Sequence, residues 1–409
     1  MAIYPQCEYL KIAMICCSLL GIFPWQFMFE GQKRYQSAYA MYSKVMLGYY
    51  IFFLISAYIK LFILLNTDDE LQMDAISANI CITFIYSITI TRQLIMKNST
   101  GFRSLIKHII DTENSVSAIQ DSEIDKIREN AVKESKRKSK WYLYILCVVT
   151  LQYILRPAMV DSKMIKVGNM TKIIKPLPLS SWFPFDEQEF YKVAYVWQVL
   201  DSLVGASFVT YTDILMFNLI VFPIGQIKKL HHCLKNFEIY KENHKILYNI
   251  TDDEKAGEAT FIEFVFRHRQ IIDYVTYFND AMGASMVFDF LQSSFQIAAI
   301  LTQVLGNQIT WVMFVFVSTF FVSMVFRLIL YYYHANDVMY LSQRLSYSIW
   351  EANWFEQPNR LKRMILMFIL RTQKPLTYRI GIFSVMTLQS CIYILRATYS
   401  YITLMVGYN

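Results

Sequence analysis

The sequence predicts an all-α polytopic membrane protein with seven transmembrane helices, a cytoplasmic N-terminus and an extracellular C-terminus. Three observations carry this. Only 17% of the 409 residues are charged while 55% are apolar, against roughly 25% charged in soluble domains. Mean hydropathy is +0.30. Seven stretches, about 45–65, 75–96, 141–160, 194–222, 275–304, 310–333 and 380–406, are apolar and long enough to cross a hydrocarbon core that takes roughly 20 helical residues. Their apolar runs are continuous, which favours helices over barrel strands of alternating pattern. A soluble enzyme or a nucleic-acid binder would need a polar skin that this composition lacks. With 12 Gly, 9 Pro and 16% aromatic residues, a disordered or fibrous chain is excluded as well.

Residues 10–23 are apolar but too short to span; with Glu8 and Lys11 at their start and Pro24 at their end, they predict an uncleaved interfacial or re-entrant helix. In 101–140, Phe102, Leu105, Ile109 and Ile110, then Ile119, Ile124 and Ile127, are interleaved with charge. That spacing predicts a continuation of span two beyond the membrane and a further helix leading into span three. The basic run 133–140 reads as a solvated juxtamembrane anchor, with a grip on anionic membrane lipid headgroups as the alternative. Segment 161–192, with Pro176, Pro178, Trp182, Phe183, Pro184 and Phe185, reads as an ordered lid. A second short helix is expected at 361–370, opened by Arg360, Lys362 and Arg363. The chain thus divides into an N-terminal tail with its short helix (1–38), spans one to six (39–334), a cytoplasmic helical anchor (335–379) and the last span (380–409).

Orientation follows from the basic residues. Of 39 Lys and Arg, 29 fall on the side of the N-terminal tail and the 97–140, 223–270 and 334–379 loops, Arg92 included as a flank, and 7 on the other. The first side is therefore cytoplasmic, the reverse of a G-protein-coupled receptor. Of three sequons, Asn169 agrees as a glycosylation site, while Asn98 and Asn249 fall on the inner side. None of the seven cysteines lies in an outer loop, so no extracellular disulfide is expected. There is no CxxC, HExxH, Gly-rich phosphate loop or Ser/His/Asp arrangement; no cofactor, metal site or catalysis is expected.

Polar groups inside the bilayer are costly and are either paired or functional. Asp201, Asp213, Asp289, Arg327 and Arg396 are of this kind, and Asp213 and Arg327 both fall toward the cytoplasmic half, where an ion pair between them is one arrangement. On span seven, Gln389, Tyr393, Arg396, Ser400, Thr403 and Gly407 recur at steps of 4, 3, 4, 3 and 4. They form one polar helix face, either a seam with another helix or, with several subunits around an axis, a pore wall. Leu404 beside this stripe would close such a path by dewetting, with Arg396 turned sideways toward a neighbouring helix. In the outer halves of spans two, three, four and six, small, hydroxylated and aromatic residues cluster: Thr83, Phe84 and Ser87; Cys147, Thr150 and Tyr153; Ser202, Ala206 and Thr210; Phe314 and Ser318. They either permit close helix packing or line an apolar pocket for a neutral, volatile ligand.

From residue 335 onward the chain resembles an insect odorant receptor: LSYSIWEANWFE, NRLKRMILMFILRTQKPL and RATYSYITLM carry the family's pattern at Tyr347, Trp354, Arg371, Gln373, Lys374, Pro375, Ser400 and Tyr401. Gly21-Ile-Phe-Pro24 resembles its turn before the first span, and Gln198 and Asp213 fit. The Gln-Phe of the sister gustatory family is absent, since Met405-Val406 follows instead. The short 223–270 loop departs from the longer shared co-receptor, which implies a ligand-tuning subunit. The resemblance implies a tetrameric, ligand-gated, non-selective cation channel in a sensory dendrite, formed with the olfactory co-receptor. Trp354 and 359–376, including Arg371, Gln373, Lys374 and Pro375, would form the intersubunit anchor. Span seven would line the pore with its gate near Leu404, and odorant would bind among spans two, three, four and six. A gustatory-type channel and a G-protein-coupled chemoreceptor are the alternatives.

Overall fold

The computed structural model describes residues 3–66, 73–115, 121–159, 163–167, 170–305 and 311–406. Among these are eleven α-helices: α1 (Lys11–Leu19), α2 (Lys33–Leu65), α3 (Met73–Asn98), α4 (Thr100–Asn114), α5 (Ser122–Met159), α6 (Tyr191–Lys235), α7 (Phe237–Tyr248), α8 (Asp253–Leu305), α9 (Trp311–Trp350), α10 (Asn359–Thr372) and α11 (Leu388–Val406). By length and hydropathy, α2, α3, α5, α6 and α9 meet the requirement for crossing a membrane within the described residues. Within the described residues, every stretch expected to span falls in a helix except for the first residues of the last one. There, 380–387 holds part of a hairpin of β3 (Arg379–Ile380) and β4 (Ser384–Val385), with Arg379 opposite Val385, and α11 starts only at Leu388. The lid likewise begins as a hairpin, β1 (Lys163–Val167) with β2 (Met170–Ile174). The described residues are nearly all helical, as expected, with these two short hairpins as exceptions, and Gly381 turns the β3–β4 hairpin with a positive φ of 54°. Asn169 lies outside the described residues.

Helix ends follow local chemistry. Ser99 caps α4, accepting from the Phe102 N–H at 3.1 Å, and one face of that helix (Phe102, Leu105, Ile106, Ile109, Ile110) is buried as its amphipathic spacing requires. α1 docks its buried face, Ala13, Met14 and Cys17, against α6: the Cys17 thiol donates to the Tyr211 carbonyl at 3.3 Å. The chain then reverses at Gly21, whose φ is +68° and whose missing Cβ would lie 2.6 Å from the Cα of Ser43. Only glycine meets both demands, and the Ser43 hydroxyl secures the turn by donating to the Gly21 carbonyl at 2.5 Å.

α6 is the axle of the fold. It runs 45 residues, about 68 Å at 1.5 Å per residue, and packs against α1, α2, α3, α4, α5, α7, α8 and α9. The divisions at 38/39 and 334/335 fall inside the continuous α2 and α9, and 379/380 inside β3, so the basic-end bundle grows out of the membrane helices without a linker.

Candidate functional site

A cavity of about 140 Å³ opens where α3, α5, α6 and α9 meet, close to the roughly 150 Å³ at which an apolar protein cavity takes up benzene. Helical spacing brings its wall together. α6 contributes Ser202, Ala206, Val209, Thr210 and Asp213; α5 contributes Tyr142, Ile145, Leu146, Val149, Thr150 and Tyr153; α3 gives Ile82, Ile85 and Tyr86; and α9 gives Phe320, Ser323, Met324, Phe326 and Arg327. Separations of three or four residues recur within each set, so the four helices turn one face inward. Gly205 permits this, because a Cβ there would lie 2.6 Å from the Tyr86 hydroxyl.

Of the residues expected to bind ligand, Thr150, Tyr153, Ser202, Ala206 and Thr210 line this cavity. The others sit elsewhere. Thr83 is buried and donates to the Asn79 carbonyl at 2.7 Å. Phe84 packs its ring at a tilt against Phe295 of α8, with centroids 4.5 Å apart, and Ser87 bonds the Tyr58 hydroxyl of α2 at 2.8 Å. Cys147 and Phe314 are exposed and Ser318 is half-buried. Spans three and four are in phase, whereas span two is rotated by about one residue and the choices on span six lie too near its start. The hydroxyls chosen on span two are spent within their own helix and on α2, a use that polar residues in membrane helices share with ligand binding.

The lid covers the end of the cavity remote from the basic loops. Leu179 lines it, and its N–H donates to Gln198 Oε1 at 2.9 Å, while the Gln198 amide donates to Ser181 at 3.0 Å. Asn79 holds the next residue back, donating to the Ser180 carbonyl at 2.9 Å, and Trp182 N–H donates to the Ser56 carbonyl at 3.1 Å.

At the other end, the cavity floor joins a buried charge cluster. Arg327 Nη1 donates to Asp289 at 2.6 Å and to Asp213 at 3.4 Å, and its Nη2 to Ser293 at 2.8 Å. Arg92 Nη1 donates to Asp213 at 2.9 Å and to Asp289 at 3.4 Å. Two guanidiniums and two carboxylates from α3, α6, α8 and α9 thus form a neutral square at membrane depth. Asp213 and Arg327 do meet, but each has a nearer partner. Arg92, counted with the basic flank by sequence, is 0% exposed. The signal that would have found it is charge balance, since two acids inside the bilayer facing one base call for a second base.

On α11 the polar stripe faces out of the protomer. Gln389, Tyr393, Arg396, Ser400 and Thr403 are exposed, while Ser390, Cys391 and Ile394 are buried in the direction of α8 and α9. Arg396 is exposed with the rest of the stripe. Leu404 is in α11, but its side chain lies outside the described residues, as does Gly407.

At the basic end, α10 buries Leu361, Ile365, Phe368 and Ile369 and exposes Leu366, Met367 and Leu370. Trp354 is half-buried with its ring 4.9 Å from that of Trp350. The Arg371 guanidinium donates to the Lys374 carbonyl at 3.3 Å; Gln373 and Lys374 are exposed, and Pro375 leads back to the core, where Leu376 N–H donates to Ser342 at 2.9 Å. His268 of α8 packs its ring 4.9 Å from Phe368. Burial, and then the positive charge of Arg371, push its pKa from 6.5 down to about 4. The folded anchor holds this imidazole neutral, while the unfolded chain takes up the proton below pH 6.5. Its contribution is therefore complete above pH 6.5 and falls as pH drops to 4, by about 3 kcal/mol. Thermal melting of the purified protein across pH 4–7.5 is expected to show this slope relative to His268→Leu; parallel profiles for the two proteins would refute it.

A family model described as 7tm Odorant receptor matches residues 72–399. Odorant receptor 10 of Aedes albopictus is 26% identical over 218 residues, 53% of this chain and 55% of that protein. Odorant receptor Or2 of Anopheles gambiae is 30% identical over 141 residues, 34% of this chain and 36% of its own. The chain thus spans about half the length of those relatives or less, whereas Odorant receptor 82a of Drosophila melanogaster is 22% identical over 87% of this chain and 89% of its own. Among solved structures, the insect olfactory receptor OR5 from Machilis hrabei superposes with a TM-score of 0.76 at 15% identity, covering 98% of both chains. The same receptor in complex with eugenol gives 0.75 over the same coverage. At that identity the likeness is one of fold.

Proposed function

This chain belongs to the 7tm odorant receptor family, a multi-pass membrane protein, and from that premise we propose that it is the ligand-tuning subunit of an odorant-gated, non-selective cation channel. The observation that carries the reading is the cavity among α3, α5, α6 and α9: apolar, of benzene-like volume, with hydroxyls on its wall. The eugenol complex of a receptor with the same fold supports a small volatile molecule as the ligand class. The basic end is cytoplasmic and the lid faces outside, as the distribution of Lys and Arg favours; the channel works in the plasma membrane of a sensory dendrite.

The exposed polar stripe of α11 is the part suited to line a shared axis. Four protomers that turn Gln389, Tyr393, Ser400 and Thr403 inward enclose a hydrated path, with Leu404 as its apolar constriction. The exposed Leu366, Met367 and Leu370 of α10, with Trp354 and the 371–375 turn, form the apolar surface through which protomers and the olfactory co-receptor adhere. Ligand opens the path only to the degree that it binds the open arrangement more tightly than the closed one.

Whole-cell recording with the co-receptor present tests the channel. Ligand-evoked cation current is expected to persist when G-protein signalling is blocked, and Leu404→Ala is expected to raise resting conductance severalfold. A response that needs G-proteins and carries no current, or a Leu404→Ala channel with wild-type resting and evoked conductance, would overturn the channel or the gate respectively.

A further inference from the structure

Two hydroxyls in the cavity wall are unspent. Thr150 and Tyr142 lie on the same face of α5, two turns or about 12 Å apart along its axis, and each is 5% exposed. Neither the Thr150 hydroxyl nor the Tyr142 hydroxyl has a hydrogen-bond partner. On the same wall, Ser202 donates to the Gln198 carbonyl at 2.7 Å and Ser323 to that of Phe320 at 2.7 Å. A threonine within a helix ordinarily has the same outlet, the carbonyl four residues back, and Thr150 does not use it. A buried hydroxyl without a partner costs the fold until something in the cavity supplies the acceptor.

The rest of the wall restricts what that something is. Ile82, Ile85, Leu146, Val149 and Val209 offer only apolar contact. The charges at the floor, Asp213 and Arg327, are already balanced within their cluster, so a charged ligand would bring in a charge with no counterpart. Resting on the reading of this cavity as the ligand site, we infer that it takes an uncharged, benzene-sized molecule bearing a hydrogen-bond-accepting oxygen, such as an aldehyde, ketone or ester. Thr150 donates to that oxygen in the shallow part of the cavity, and Tyr142 donates to it in a ligand seated nearer the charge cluster.

Benzaldehyde and styrene test this, because they differ by an oxygen in place of a methylene at nearly constant shape. Saturable retention of each is measured on the full-length protein in lipid nanodiscs. Wild type is expected to hold benzaldehyde about tenfold more tightly than styrene. Thr150→Val, which keeps the shape and removes the donor, or Tyr142→Phe for the deeper seat, is expected to bring the ratio within about twofold. Ala206→Trp, with Val209→Phe as the milder filler should the first not yield monodisperse protein, is expected to abolish saturable retention of both. Equal retention of the two probes by wild type, or a ratio that survives both donor deletions while the fillers still empty the site, overturns the ligand class and leaves the cavity standing. Retention that survives the fillers, or none by wild type, overturns the cavity reading along with it.

Discussion

Arg327→Met is expected to destabilise the fold by about 3–5 kcal/mol, the cost of leaving a buried carboxylate without its partner, and to remove most protein from the cell surface. The loss leaves Asp213 and Asp289 facing Arg92 alone, so the cluster acquires a net negative charge at membrane depth. The companion double variant, Arg327→Met with Asp289→Leu, retains the 2.9 Å pair of Arg92 with Asp213 and restores neutrality; it is expected to recover most of the melting temperature. Thermal unfolding in detergent and surface labelling measure both. A single variant that melts with wild type, or a double variant no better than the single, would show that charge balance is not what holds α3, α6, α8 and α9 together here.

Ala206→Trp and Thr150→Trp are expected to shift the dose-response curve for any activating volatile by at least about thirtyfold, roughly 2 kcal/mol, with surface expression retained. Each places an indole in a space of about 140 Å³, which leaves no room for a ligand. Recording with the co-receptor present measures the shift, and unchanged curves for both variants would remove the cavity from ligand recognition.

Much of the fold is legible in the sequence. Apolar run length locates the spanning helices, because the bilayer imposes it directly; 3.6-residue spacing marks 101–114 as helical, but where the sequence reads a continuation of span two the structure breaks at Ser99 and starts a separate helix. The site is legible only in part. On α6, Ser202, Ala206 and Thr210 recur every four residues and so name their face without reference to anything else. On α3 no such reference exists: Thr83 and Ser87 also form a periodic polar face, and only the packing of α2 and the lid reveals that this face is used for helix contacts. The cavity wall there, Ile82, Ile85 and Tyr86, is chemically no different from lipid-facing residues. Arg92 was hidden for another reason, since a base near a span's end resembles a flanking charge until the acids it meets on α6 and α8 are brought beside it by the fold.

The square of Arg92, Asp213, Asp289 and Arg327 has an electrical consequence. A single elementary charge carried through the whole membrane potential exchanges about 2.3 kcal/mol per 100 mV, but a cluster whose four charges cancel exchanges almost nothing when it shifts as a unit. Motion of α3, α6, α8 and α9 as a unit therefore couples only weakly, through this cluster, to the voltage across a membrane.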